Sequence, residues 1–185
     1  MRIAAGQFKG KKLFAGSDLS IRPITNRLKE IIFSVLNNSF YDKMVLDLFS
    51  GSGSLGLEAL SLGAEHVTFV EKEESSILIL KKNINTLKID PSLIQIFRSD
   101  VLKFLIEDGK KYSLILSDPP FKYSSLQQMV NQVFTGNILE RNGLLVVHHE
   151  INNPLRIENV PYLLVKQKKI GRSLLSFIAR EKTDV

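Results

Sequence analysis

The sequence predicts an α/β protein built on a doubly wound, Rossmann-like sheet, and three features of the chain support this fold. Between Met44 and His148, short apolar runs that suit buried strands alternate with segments of helical length. A glycine-rich loop, SGSGSLG, joins the first of these runs to the next helical segment. Near the C-terminus two strand-like runs follow each other directly, which indicates an antiparallel hairpin at one edge of a mostly parallel, seven-stranded sheet.

The individual elements follow from local periodicity and from turn residues. Apolar residues from Leu28 to Leu36 recur at helical spacing, so we expect a helix that begins near Pro23 and Thr25. The predicted strands are Met44–Phe49, Val67–Val70, Leu93–Phe97, Tyr112–Leu116, Gly143–His148, Leu163–Ile170 and Leu174–Ile178. The later helices are predicted to end near Leu62 and to cover residues 74–87, 101–108 and 126–139.

The first 21 residues have a different character from the rest of the chain. They are basic and punctuated by glycines, and they suit two short strands joined near Gln7 to Lys12 better than a helix. We therefore predict a basic β-hairpin extension over residues 1–21 and one α/β domain over residues 22–185.

Composition excludes several classes of protein. The chain has 185 residues, 44% of them hydrophobic, and no cysteine, so we expect a full core but neither a disulfide framework nor a thiolate metal site. No apolar run approaches the roughly 18–20 residues of a membrane helix, and the N-terminus lacks the apolar stretch of a secretory signal. We expect a cytoplasmic protein that does not associate with a membrane.

The net charge of +6 is concentrated at the two ends of the chain. Residues 1–29 hold seven Lys and Arg and one acid, whereas residues 30–159 hold twelve basic and sixteen acidic residues. Basic ends around an acidic middle indicate a polyanionic partner for the ends and a different ligand for the middle. The alternative is that the lysines only keep the protein soluble.

The glycine loop fits two kinds of ligand. It contains G-x-G-x-x-G, and Glu71 lies twenty residues after Gly51, which also matches the nicotinamide dinucleotide pattern. A pyrophosphate favours a site without nearby anions, yet residues 44–71 contain four acids and no Lys or Arg. This charge favours S-adenosylmethionine, whose ammonium and sulfonium groups are cationic.

Three acids stand at successive predicted strand ends, namely Asp47, Glu71 and Asp100. In open parallel sheets ligands bind at this edge, so Asp47 is expected to face the cofactor, Glu71 its ribose hydroxyls and Asp100 its adenine amine. Each acid alone also fits a helix cap or a solvated loop residue.

The stretch LSDPPF, residues 116–121, ends the fourth predicted strand, because proline cannot donate to a sheet ladder. An exocyclic amine on a base is a poor nucleophile because its lone pair is delocalised into the ring. The Asp118 carboxylate and the Pro119 carbonyl can accept its two N–H groups and favour a pyramidal nitrogen, while Phe121 can stack on the base. A turn without chemistry is the alternative.

Residues 118–121 resemble the D/N-P-P-Y/F motif of methyltransferases that modify amino groups of adenine or guanine, and DLFSGSG, residues 47–53, is similar to their cofactor motif. RIAAG at residues 2–6, KGKKL at 9–13 and RPITNRLKE at 22–30 narrow the resemblance to the bacterial 16S rRNA guanine-N2 methyltransferases. The match covers nearly the whole chain. Asn26 and Ile24 depart from the family pattern, where an acid and a threonine are expected.

The resemblance implies a methyltransferase domain over residues 22–185, S-adenosylmethionine as donor with S-adenosylhomocysteine as product, no metal, and 16S rRNA in an assembled or assembling small subunit as partner. The catalytic residues would be Asp118, Pro119, Pro120 and Phe121. Cofactor contacts would come from Asp47, Phe49, Gly51, Gly53, Glu71, Lys72, Asp100 and Val101. RNA contacts would come from Lys9, Lys11, Lys12, Arg22, Thr25 and Arg27.

Three other functions remain open at this point. An adenine-N6 or DNA methyltransferase carries the same tetrapeptide, an NAD-dependent dehydrogenase shares the glycine spacing, and a basic RNA-binding module would have no turnover. A metal site at His148, His149 and Glu150 is rejected, because adjacent strand residues point to opposite faces of a sheet.

Overall fold

The computed structural model describes residues 1–15, 25–37, 40–157 and 161–180. Its helices are α1 (Asn26–Val35), α2 (Ser54–Ser61), α3 (Glu74–Leu87), α4 (Val101–Glu107) and α5 (Leu126–Thr135), with a 3-10 turn at Pro91–Leu93. Its strands are β1 (Met44–Leu48), β2 (His66–Glu71), β3 (Ile94–Arg98), β4 (Tyr112–Ser117), β5 (Leu139–Glu150), β6 (Tyr162–Ile170) and β7 (Ser173–Arg180). Within these ranges no helix is long and apolar enough to cross a bilayer.

The seven strands form one sheet in the order β3-β2-β1-β4-β5-β7-β6. The first five pair in parallel, whereas β7 pairs antiparallel with both β5 and β6. This confirms the predicted fold, including the C-terminal hairpin, which turns at Gly171 with a φ of 60°. Strand order reverses between β1 and β4, and at such a switch point the loops at the carboxyl ends of the strands diverge and leave a crevice.

Two hydrophobic cores cover the two faces of the sheet. Val45 of β1 packs in the first core with residues of α1, α2 and α3, and its neighbour Leu46 packs in the second with residues of α4 and α5. This alternation is the period-2 pattern of a strand buried on both faces. Asp47 follows on the same face as Val45, so its carboxylate points toward α2 rather than toward α5.

The N-terminal segment folds back on itself, but with less strand than predicted. Among the described residues, Arg2 and Lys12 form an isolated antiparallel bridge in place of two short strands. The backbone then leaves the ladder because Gly6 and Gly10 adopt positive φ values. Ile3 and Leu13 are buried in the first core, so the hairpin packs on the α/β unit. The predicted boundary near residue 21 lies outside the described residues and stays a prediction.

Helix α5 is shorter than predicted. It ends at Thr135, where the amide of Gly136 donates to the carbonyl of Gln132. Asn137 then adopts a φ of 56°, which reverses the chain and lets Leu139 pair with Tyr112 of β4. The prediction of a helix to residue 139 was wrong. Residues 138 and 139 are apolar and continue the helical pattern, but Leu139 pairs with β4 and is the first residue of β5.

A buried ion pair attaches the N-terminal segment and α1 to α2. The Lys29 ammonium lies 2.8 Å from the Glu58 carboxylate, with 0% and 1% of their side chains exposed. Lys29 also donates to the Arg2 carbonyl, and Glu58 accepts from the amides of Ala4 and Ala5. Every polar group in this cluster therefore has a partner, which burial of a charge requires.

We expect Glu58→Gln to destabilise the fold by about 3–5 kcal/mol, because it leaves the Lys29 ammonium buried without a counter-charge. Urea unfolding at neutral pH would measure the loss. The matched control is Glu74→Gln, which breaks the exposed Arg98–Glu74 pair of 2.7 Å and should cost no more than about 1 kcal/mol. Equal losses in the two variants would contradict a special role for the buried pair.

Candidate active site

The glycine loop and the Asp118 segment meet at one edge of the sheet. Leu48 of β1 pairs with Ser117 of β4, so the residues that follow them, Phe49 and Asp118, leave the sheet side by side. Phe49 adopts a φ of 57°, which ends β1 and opens the loop toward α2. The predicted cofactor loop and the predicted catalytic tetrapeptide are therefore neighbours in space.

Asp47 is buried beneath the loop. Asp47 is 1% exposed, and its Oδ2 accepts a hydrogen bond from the amide of Gly56, 2.9 Å away. Burial raises the pKa of Asp47 to about 8; the Gly56 hydrogen bond lowers it, and the charges of Asp118 and Glu71 raise it further. Through this hydrogen bond the Asp47 side chain holds the glycine loop against β1. Asp47, Glu71 and Asp118 lie close together at this edge of the sheet.

The start of α2 needs glycine at two positions. Gly53 caps the helix with a φ of 81°, and a Cβ there would overlap the side chain of Leu80. Gly56 packs against β2, where a Cβ would overlap Phe69 and Val67. At Gly51, in contrast, a Cβ would meet nothing closer than 4.0 Å, so the outer side of the loop is open to a ligand.

Glu71 at the end of β2 is tied to the same loop. Its Oε2 accepts from the Gly51 amide, and its Oε1 accepts from the amides of Lys72 and Glu73, all at 2.8 Å. A carboxylate has about four lone-pair sites, so these bonds leave little capacity for two ribose hydroxyls. The role predicted for Glu71 stays a prediction, and the structure adds a role in shaping the loop.

Asp100 caps helix α4 and is exposed. Its carboxylate accepts from the amide of Leu102 at 2.9 Å, which is the helix-cap alternative considered from the sequence. Asp100 also borders an open depression of about 400 Å³ together with Lys72, Glu73, Arg98, Ser99 and Lys103. Val101, the first residue of α4, is 4% exposed and packs in the second core.

Asp118 has a partner that the sequence did not indicate. Its Oδ1 lies 2.7 Å from Nδ1 of His148, a residue of β5. The ring of Phe121 stands edge-on to the same imidazole, with centroids 5.8 Å apart. His149 points away and contacts the hydroxyl of Ser176, as the alternation of strand side chains predicts. Pairing of β4 with β5 is the only signal that could have connected residues thirty positions apart.

Tyr123 is a second site residue that sequence reasoning missed. Its ring packs edge-on against Phe49, with centroids 4.9 Å apart. Its hydroxyl is buried and has no hydrogen-bond partner among the described residues. Burial raises the pKa of Tyr123, and the charge of Asp100 adds to this effect. A buried hydroxyl without a partner is uncommon in a folded protein, and this one lies beside the glycine loop through the contact with Phe49.

The described residues that were predicted to contact RNA belong to the N-terminal hairpin and to the start of α1. Lys9, Lys11 and Lys12 are exposed on the hairpin. Thr25 accepts from the amide of Leu28 and caps α1, and Arg27 is exposed in the first turn of that helix. Arg22 lies outside the described residues.

The raised pKa of Asp47 predicts a pH-dependent stability. Because its folded pKa of about 8 exceeds the ordinary value of 3.8, the folded protein holds a proton that the unfolded chain releases. Stability therefore falls as pH rises between these values, by up to about 1.4 kcal/mol per unit. We expect Asp47→Asn to gain stability relative to the wild type from pH 5 to pH 8, measured by urea unfolding without ligands.

The control for this measurement is Asp90→Asn at the exposed cap of the 3-10 turn. Hydrogen bonds from Ser92 lower the pKa of Asp90, so its contribution is lost only in more acidic solution. Its difference from the wild type should stay constant over pH 5–8. An equally constant difference for Asp47→Asn would overturn the assignment.

Sequence comparison relates this chain to one protein family and to relatives that share one name. The family model described as Conserved hypothetical protein 95 matches residues 1–179. Ribosomal RNA small subunit methyltransferase D of Escherichia coli (strain K12) is 32% identical over 181 residues, which are 98% of this chain and 90% of that protein. The protein of the same name from Haemophilus influenzae is 35% identical over 173 residues, or 92% and 89% of the two chains.

Solved structures agree with these relatives. The structure of the Escherichia coli protein yhhF matches with a TM-score of 0.87 and 31% identity over 99% of both chains. The resemblance inferred from the motifs is confirmed at the level of the family. The chain belongs to the family described as Conserved hypothetical protein 95, and its relatives include proteins named ribosomal RNA small subunit methyltransferase D.

Proposed function

We propose that this protein uses S-adenosylmethionine to methylate the exocyclic N2 amine of a guanine in 16S ribosomal RNA, within an assembled or assembling small subunit. The names of the relatives support methylation of ribosomal RNA. The observation that carries the proposal is the adjacency of the glycine loop and the Asp118-Pro119-Pro120-Phe121 segment at the paired ends of β1 and β4. This places groups suited to an amine beside a loop suited to a small cationic ligand.

The residues at this edge fit S-adenosylmethionine, which supplies an electrophilic methyl group on a sulfonium when it is bound. Burial and the charges of Asp118 and Glu71 raise the pKa of Asp47, and a cationic ligand would offset the repulsion among these acids. The depression beside Asp100 and Lys72 would provide further contacts. A dinucleotide would place its pyrophosphate against the same carboxylates, which disfavours the dehydrogenase alternative.

The Asp118 segment offers two acceptors for an amine. Oδ2 of Asp118 accepts no hydrogen bond from the described part of the chain, and the same holds for the carbonyl of Pro119. The two prolines restrict the backbone, so the Pro119 carbonyl is held before a substrate arrives. Accepting both N–H groups would favour a pyramidal nitrogen with a lone pair directed at the methyl group. Phe121, half-buried at the rim, would stack on the base.

The basic hairpin would hold the RNA backbone beside this site. Lys9, Lys11 and Lys12 are exposed, and Lys82 lies over the ring of Phe14, 3.7 Å from its centroid. Cationic and aromatic groups on one surface suit phosphates and unpaired bases. The N-terminal cap of α1, with Thr25 and Arg27, would line the route from the hairpin toward the site.

The proposal is tested by methyl transfer from labelled S-adenosylmethionine to unmodified small subunits, naked 16S rRNA and duplex DNA, followed by digestion to nucleosides. We expect the label as N2-methylguanosine, chiefly from the subunit sample. Label on N6 of adenine or on DNA would replace the proposed acceptor. Binding of RNA without transfer to any sample would support a non-catalytic RNA-binding module, and binding of NAD instead of S-adenosylmethionine would support the dehydrogenase.

Two substitutions separate acceptor chemistry from cofactor binding. Asp118→Ala should abolish turnover, because it removes an amine acceptor, while calorimetry shows cofactor affinity nearly unchanged. Glu71→Ala should weaken cofactor binding first, because it releases the amides of Gly51 and Lys72 that shape the loop. Equal loss of affinity and turnover in Asp118→Ala would contradict the role of this carboxylate in holding the amine.

A further inference from the structure

His148 joins Asp118 to the C-terminal hairpin through a chain of hydrogen bonds. Its Nδ1 lies 2.7 Å from Oδ1 of Asp118, and its Nε2 lies 2.8 Å from the hydroxyl of Ser173 at the start of β7. The Ser173 hydroxyl in turn lies 2.9 Å from the carbonyl of Ile170. We propose that His148 is a positioning residue that fixes the Asp118 carboxylate for methyl transfer. This inference rests on the proposed function.

The chemistry of the contact sets the tautomer of the ring. A carboxylate oxygen can only accept, so Nδ1 of His148 donates the hydrogen bond to Oδ1 of Asp118. In the neutral ring Nε2 then accepts from the Ser173 hydroxyl, which has a single proton and cannot donate to the Ile170 carbonyl at the same time. The ring cannot rotate away without also losing Ser173, because its two nitrogens are bonded on opposite sides. Its side chain is 11% exposed, which limits competition from water. The imidazole is therefore a rigid donor rather than a surface residue with a chance contact.

A hydrogen bond to Oδ1 of Asp118 also determines the direction in which Oδ2 points. With Oδ1 held by His148, rotation about the Cβ–Cγ bond of Asp118 is blocked, and Oδ2 keeps one direction. The Asp118 side chain is 24% exposed, so this oxygen can reach a substrate. The edge contact of Phe121 with the imidazole gives the same ring a second function, because it also supports the residue proposed to stack on the base.

The neighbouring histidine shows that this arrangement is specific to His148. His149 is 2% exposed and bonds to the carbonyl of Asn153 and the hydroxyl of Ser176. None of these groups belongs to the Asp118 segment. Burial lowers the pKa of His149, as for a histidine with a purely structural role in the core. His148 thus contacts the Asp118 segment, whereas the adjacent His149 does not.

Two substitutions of His148 distinguish positioning from packing. In His148→Asn the side-chain amide nitrogen stands close to the place of Nδ1 and can still donate to Asp118. In His148→Gln the amide lies close to the place of Nε2, so contact with Ser173 is kept and the donor to Asp118 is lost. Both variants lose the ring beside Phe121, so the difference between them reports the donor to Asp118. We expect kcat of His148→Gln to be about 10–100-fold lower than kcat of His148→Asn, since small misplacements of a reacting group cost about this much. Cofactor affinity should not change in either variant.

The outcomes separate the inference from the proposed function. Equal activity of the two variants, or a loss confined to KM, would overturn positioning while leaving methylation intact. An inactive wild type, tested on subunits, rRNA and DNA, would overturn both. Nitrogen-15 NMR of the wild type gives a readout that does not need turnover: we expect a proton on Nδ1 of His148, and a different tautomer pattern in Asp118→Ala. An unprotonated Nδ1 beside the intact carboxylate would contradict the donor.

Discussion

The hydrogen bond from the Gly56 amide to the Asp47 carboxylate is the interaction on which the candidate site depends. It joins the end of β1 to the first turn of α2 and so determines the path of the loop between them. Glu71 holds the same loop from β2 through the amide of Gly51. Two carboxylates on adjacent strands therefore shape a loop whose outer side is open at Gly51. The neighbouring charges of Asp118 and Glu71 give this edge of the sheet a negative potential.

The fold contains a second buried carboxylate, and the contrast between the two is informative. Glu58 has a lysine ammonium and two amides as partners, so its charge is fully compensated within the protein. Asp47 has one amide and two further acids nearby, and its pKa is raised to about 8. Burying an acid without a counter-charge lowers stability at neutral pH. Such a cost is typical of a site that awaits a ligand, whereas Glu58 has the character of a structural clamp.

The C-terminal hairpin contributes more than an edge to the sheet. Because β7 pairs with β5, Ser173 lies beside the strand end that carries His148, and the hydrogen bonds of His148 reach Asp118 directly after β4. Three successive strands thus support one carboxylate. In the proposed reaction most of the rate comes from holding the amine in one geometry. The contact of Ser173 with His148 would therefore assist the reaction by keeping the Asp118 carboxylate in place.

Local patterns in the sequence were sufficient for the fold class and for the placement of Asp47, Glu71, Asp100 and Asp118 at strand ends. Periods of 2 and 3.6 residues, glycines and prolines act over a few positions, so they can be interpreted without knowing what packs where. The end of α5 was not predicted, because its last apolar residues belong to a strand that exists only by pairing with β4. The partners of each acid and the contact of His148 with Asp118 also depend on register between distant strands. Only the tertiary structure decided these, since a hydrogen bond between residues thirty positions apart has no local pattern to encode it.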